Sequence, residues 1–179
     1  MIDLKQWAIR YARKGLYVLP MHDKQPMISF ADQPAMRPGE VADFWDRYPA
    51  ANIALRTVQF FVVDIDKHPE ANGFESLKKY PHPEYFPDTL TQQTATGGIQ
   101  LFYMKPKNVE VEQNIGWLKG VDIKAHVNNY VLVAPSVRNE HAYKWIRKMP
   151  MVQAPDYLLR AIKPERSNNI LSRVSNASG

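Results

Sequence analysis

Along the first fifteen positions, apolar residues recur at Leu4, Trp7, Ala8, Tyr11 and Ala12. This is the three- and four-residue spacing of one helix face, and it predicts an amphipathic helix over residues 3–14 closed by Gly15. LYVLPM (16–21) predicts a short strand, and the polar, proline-containing DKQPMISFADQPAMRPG a loop. Pro38 and Glu40 open a second helix with Val41, Phe44, Trp45 and Tyr48 on one face. NIALRT (52–57) and QFFVVDID (59–66) read as a strand pair joined by a tight turn, and GFESLKKY (73–80) as a short helix. TLTQQTAT and IQLFYMK alternate like hairpin strands around Gly97-Gly98. VEVEQNIGWL, VDIKAHV, NYVLVAPS and AYKWIRK add further strands, and APDYLLRAIK (154–163) a last helix. Helices mixed with hairpins predict an α+β fold with a mostly antiparallel sheet. One domain over residues 1–165 is expected, followed by a polar tail, 166–179, with the composition of a flexible linker.

Composition narrows the function classes. Apolar residues make up 45% of the 179, enough for a real core, while 14 prolines favour short elements over a helical bundle. The absence of cysteine excludes disulfides and thiolate metal sites. MIDLKQWAIRYARKG lacks a signal-peptide core and no apolar run is long enough for a membrane helix, so a cytoplasmic location is expected. A net charge of +5 suits polyanionic partners such as nucleic acid or nucleotides.

Three short stretches carry candidate chemistry. In FFVVDID, Asp64 and Asp66 are two apart, so on a strand they project from one face while Val63 and Ile65 pack on the other. The pair is either a solvated strand end or the seat of a hard divalent cation such as Mg²⁺ or Mn²⁺. In GVDIKAH, Asp122 and Lys124 have the same spacing. They are either a surface ion pair or a third carboxylate with a phosphate-facing ammonium, as sites for phosphoryl and nucleotidyl transfer require. In TATGGIQLFY, Thr96, Gly97 and Gly98 form either a plain hairpin turn or an anion nest, with Gln100 just beyond and Phe102 on the same face.

Taken in order, VVDID followed by a glycine, T-x-[ST]-G-G, and G-V-D-[IV]-[KR] followed by YVLVAPS and Y-x-W resemble the bifunctional DNA primase/polymerase (prim-pol) domain of the archaeo-eukaryotic primase superfamily, typical of plasmid and prophage replication proteins. AIRYARKGLYVLP, the Lys24–Pro26 step and FWDRYPAANIALRT extend the likeness to residues 4–148. The resemblance implies a two-lobed catalytic domain with an RRM-like sheet plus a small α/β unit. It implies Asp64, Asp66 and Asp122 as catalytic metal ligands, and Thr96, Gly97 and Gly98 as the cradle of a nucleoside triphosphate. Lys124 and Ser136 would line the nucleotide pocket, and Lys24 would contact phosphate or template. Substrates would be NTPs or dNTPs on a single-stranded DNA template, with Mg²⁺ or Mn²⁺ as cofactor and a helicase domain or protein as partner.

Two departures from the pattern stand out. The family histidine after Gly-Gly is here Gln100, which can donate a hydrogen bond but carries no positive charge and moves no proton. Asn128-Asn129 replaces a glycine-rich turn, a change that asparagine tolerates. Trp117, Tyr130, Tyr143 and Trp145 are candidates for stacking template bases or for core packing. His68 and His126 lie close to the motifs in sequence. Against template-directed synthesis stand an attenuated nucleotide- or DNA-binding module that works with a helicase, and a metal-dependent nuclease on the same carboxylates.

Overall fold

The computed structural model describes residues 3–165; the tail expected at 166–179 lies outside the described residues. Asp3 accepts from the Gln6 N–H at 2.9 Å and starts α1 (Leu4–Arg13), which buries Ala8, Tyr11 and Ala12. Gly15, at φ +80, lets the chain turn into β1 (Val18–His22) and the two-residue β2 (Gln25–Pro26). Helix α2 (Pro38–Arg47) begins with proline in its first turn and buries Val41 and Trp45. Strands β3 (Asn52–Arg56) and β4 (Phe60–Ile65) follow, then α3 (Gly73–Lys79), capped by the Asn72 side chain. A 3₁₀ turn at Pro83–Tyr85 leads to β5 (Thr91–Gln93) and β6 (Ile99–Met104). The rest comprises β7 (Asn114–Leu118), β8 (Val121–Lys124), β9 (Tyr130–Leu132), β10 (Val137–Arg138), β11 (His141–Ala142), β12 (Lys144–Arg147), β13 (Val152–Gln153) and α4 (Asp156–Ala161).

Two sheets carry the architecture. One has the order β2-β1-β3-β9 and the other β12-β5-β6-β4-β8-β7, with β13 added to β6; β10 and β11 form a separate hairpin. Pairings are antiparallel except β13 with β6, as expected for an α+β fold with mostly antiparallel sheets. The expected β3–β4 strand pair does not form. β3 lies between β1 and β9, and β4 between β6 and β8. Both strands are largely buried and have a neighbour on each edge, so neither has an edge left for the other. The step between them is a crossing from one sheet to the other, fixed by the Thr57 hydroxyl on the His126 carbonyl at 2.6 Å and the Thr57 N–H on that of Asn129 at 3.0 Å.

All six residues of β4 are buried, and their alternation divides two cores. Phe60 and Val62, with Phe102 of β6, pack toward α1 and α2 around Trp45. Phe61, Val63 and Ile65 pack on the opposite face with Tyr103, Ile123 and Leu158. Asp64 therefore lies on the Phe60–Val62 face. A one-residue slip would exchange it with Ile65 and bury the carboxylate in the other core, so the hydrophobic pattern itself fixes the register.

Candidate metal and nucleotide site

The register brings the candidate residues into one cross-strand row. Gln92 pairs with Gln100, Gln100 with Asp64, and Asp64 with Asp122, across β5, β6, β4 and β8. Residues opposite each other in a sheet place their side chains on the same face. Asp66 lies just beyond the end of β4, two residues from Asp64. Its backbone is clamped on both sides: its N–H donates to the Gly120 carbonyl and its carbonyl accepts from the Gly73 N–H, each at 2.8 Å. This clamp needs two glycines. A Cβ on Gly73 would stand 2.3 Å from the Gly120 oxygen, and one on Gly120 would stand 2.5 Å from the Ala71 oxygen, at a φ of +79.

Carboxylate oxygens of Asp64, Asp66 and Asp122 lie within 4.8 Å of one another, the first buried and the other two half-buried. The Lys124 ammonium is 3.0 Å from Asp64 Oδ2. If all are ionised, three carboxylates and one ammonium leave two negative charges uncompensated, the charge of one divalent cation. The strain of this arrangement registers at Asp66, whose carboxyl is held above the usual range by burial and then by the charges of Asp64 and Asp122. Lys124 is raised as well: burial opposes its charge, but the Coulombic pull of Asp64 and the hydrogen bond to it prevail, with smaller help from Asp122 and Asp66. An all-oxygen, acidic donor set of this kind fits Mg²⁺ or Mn²⁺.

Asp64 is the most constrained member. Gln100 Nε2 donates to its Oδ1 at 3.2 Å. Gln100 Oε1 in turn accepts from Gln92 Nε2 at 2.7 Å. Gln92 is fully buried and tied to the other sheet, donating to the Leu132 carbonyl at 2.8 Å and accepting from the Ala134 N–H at 3.1 Å. A chain of amides thus runs from the β9 end to the central carboxylate. Asp122 Oδ1 accepts from the Gly116 N–H at 2.7 Å, where β7 is irregular and Gly116 has φ +72. Gln92 and Gly116 are not among the candidate residues that the sequence offered.

The β5–β6 turn sits against the acidic group. Gly97 has φ +87, and a Cβ on Gly98 would lie 2.8 Å from the Ile65 carbonyl and 3.8 Å from the Asp66 Cα. The Gly97 N–H is committed to the Thr94 carbonyl at 3.1 Å, and the Thr96 hydroxyl, exposed, lies 3.3 Å from that of Thr94. Ser136 and Lys24 fall elsewhere. Ser136 is fully buried with its hydroxyl between the Ile53 N–H (2.8 Å) and carbonyl (3.0 Å), and Lys24 is exposed in the β1–β2 turn. His68 and His126 are exposed, the latter accepting from the Asn128 N–H through Nδ1. The four candidate stacking rings pack within the protein. Trp145 lies on Phe102 and donates to the Tyr11 hydroxyl, Trp117 donates to the Ala161 carbonyl, Tyr143 is buried, and Tyr130 meets Phe30 edge-on. Among the described residues no helix is long and apolar enough to cross a membrane.

A family model described as bifunctional DNA primase/polymerase, N-terminal, matches residues 8–157. Among curated proteins, none matches the chain.

Proposed function

We propose, because this chain belongs to the family of bifunctional DNA primase/polymerase N-terminal domains, that it catalyses template-directed nucleotidyl transfer in phage or plasmid DNA replication. The observation that carries this reading is the convergence of Asp64, Asp66 and Asp122 from β4 and β8, with two charges in excess. These three carboxylates would hold Mg²⁺ or Mn²⁺. When bound, the ions would supply Lewis-acid activation of a 3′-hydroxyl and neutralise the departing pyrophosphate. The protein's own share is positional. The buried amide chain fixes Asp64, and the glycine clamp fixes Asp66. Gly116 orients Asp122 through the N–H that it donates to Oδ1. Lys124 supplies a positive charge beside the nucleotide, and the Thr96–Gly98 turn, packed against Asp66 at Gly98, would cradle its phosphates. A single-stranded DNA template and a helicase domain or protein complete the proposed assembly.

Primer extension tests this reading. The wild-type chain, given primed single-stranded DNA, dNTPs and Mn²⁺, is expected to extend, and the double variant Asp64→Ala, Asp66→Ala to show no extension. A second reading, an attenuated binding module for template or nucleotide, is favoured by one observation: the Gln100 amide is spent on Asp64 rather than turned toward a ligand. Template binding without extension under either metal would establish that reading over the first.

A further inference from the structure

Tyr11 is buried on α1, and its hydroxyl joins two elements distant in sequence. It donates to the Ala134 carbonyl and accepts from Trp145 Nε1 of β12 at 2.9 Å. The Ala134 N–H donates in turn to Gln92 Oε1, and Gln92 leads through Gln100 to Asp64. We propose that Tyr11 is a positioning residue for Asp64, acting through Ala134, Gln92 and Gln100; the inference rests on the reading above that Asp64 holds a catalytic cation, and it brings in a helix that this reading leaves out.

Every link has one possible direction. An indole N–H donates and cannot accept, so the Tyr11 oxygen accepts from Trp145 and its own proton goes to Ala134. Burial holds the Tyr11 hydroxyl above the ordinary tyrosine range, which keeps that proton in place. Gln92 cannot be reversed either. A flipped amide would set its NH₂ against the Ala134 N–H and its oxygen against the Leu132 carbonyl. The remaining Gln92 N–H therefore goes to Gln100 Oε1, which leaves Gln100 Nε2 for Asp64 Oδ1. Backbone groups at residues 132 and 134 thus decide that a donor faces the carboxylate, and Tyr11 holds Ala134 where it does so.

Ala134 lies between two pins. The Val133 N–H donates to the Ile53 carbonyl at 2.9 Å, and the Ser136 hydroxyl bonds both polar groups of Ile53. Between them, the polar groups of Ala134 go to Tyr11 and Gln92. Removing the Tyr11 hydroxyl orphans the buried Ala134 carbonyl, and the backbone that relaxes to satisfy it carries the N–H away from Gln92. The displacement matters at Asp64 because the last torsion of a carboxylate is broad, so its partners set its plane. Gln100 holds Oδ1 and Lys124 holds Oδ2. A displaced Gln100 lets the carboxylate turn and alters the oxygens it offers to a cation with Asp66 and Asp122.

The test is Mn²⁺ titration of the full chain by electron paramagnetic resonance, with the Gln100 side-chain amide followed by nuclear magnetic resonance in the metal-free protein. Tyr11→Phe keeps the ring and its contact with Trp7, and circular dichroism would check its fold. Trp145→Phe, which removes only the donor to Tyr11, reads the same chain should Tyr11→Phe not fold. Val41→Ala, in the same core but outside the polar chain, is the control for destabilisation alone. Tyr11→Phe is expected to shift the Gln100 amide and to weaken Mn²⁺ about three- to tenfold, less than loss of a direct partner because it acts several bonds away. Val41→Ala should stay within about twofold of wild type, and so should Tyr11→Phe added to Gln92→Leu relative to Gln92→Leu alone, since the path is then already cut. Unchanged Mn²⁺ affinity in Tyr11→Phe, with a wild type that binds, overturns this inference alone. A loss that Val41→Ala matches, or that recurs in full on Gln92→Leu, overturns it too, assigning Tyr11 to general stability. A wild type that binds no Mn²⁺ overturns the inference together with the reading it rests on.

Discussion

Replacing Gln92 by leucine isolates the amide chain behind Asp64. The substitution is nearly isosteric, but it strips partners from three groups: the Leu132 carbonyl, the Ala134 N–H and Gln100 Oε1. Orphaning a buried polar group costs about 1–3 kcal/mol, so the three together set a ceiling of about 9 kcal/mol. Relaxation of the β9 end and the apolar burial of leucine offset part of this, and a net loss of about 3 kcal/mol is expected. For a chain of this size that lowers the melting temperature by about 6–12 °C. Urea unfolding checks it: the midpoint should fall with an unchanged m-value, since the surface exposed on unfolding is the same. The free Gln100 amide can then rotate, and Asp64 loses its fixed orientation. Removing such outer partners typically weakens metal binding about 10–100-fold, which Mn²⁺ titration followed by electron paramagnetic resonance would read. A variant destabilised by less than about 1 kcal/mol, with Mn²⁺ affinity unchanged, would refute the idea that the chain of amides organises the site.

Three further outcomes follow from the same geometry. Asp66→Asn should raise the melting temperature of the metal-free protein at neutral pH: the folded state lifts the Asp66 pKa, so the ionised carboxylate is a cost that is absent in acid and grows as pH rises through that pKa, and the gain should vanish toward low pH in a melting series. The same variant should be stabilised less by added Mn²⁺. Gly98→Ala sets a methyl 2.8 Å from the Ile65 carbonyl and 3.1 Å from Thr94 Oγ1, pushing the turn off Asp66; a loss of about 1–3 kcal/mol in stability and weaker dNTP binding by calorimetry are expected. Gln100→His introduces a side chain that can carry charge, and a large gain in extension rate in a primed-template assay would show that the natural site is attenuated.

The carboxylates were legible in the sequence because a strand has period two: Asp64 and Asp66 had to share a face, as did Asp122 and Lys124, and alternation with Val63, Ile65 and Ile123 named which face was apolar. What joined the two motifs, the antiparallel register of β4 on β8, is a long-range fact that local spacing does not contain. The same limit explains the β3–β4 error, since a short connector between two apolar strands looks alike whether the chain folds back or crosses to another sheet. Gln92 went unread because a buried glutamine is identified by its partners, and these sit 8 and 40 residues away. Strands β2, β10, β11 and β13, two residues each, are too short to show any period.

The central claim, that Asp64, Asp66 and Asp122 together hold the catalytic cation, is tested most directly by anomalous diffraction from crystals soaked in Mn²⁺ with a dNTP. The account predicts a manganese peak coordinated by oxygens of all three carboxylates, with the Lys124 ammonium no longer on Asp64 Oδ2 alone. No peak at these carboxylates, in crystals where the nucleotide is bound, would contradict it.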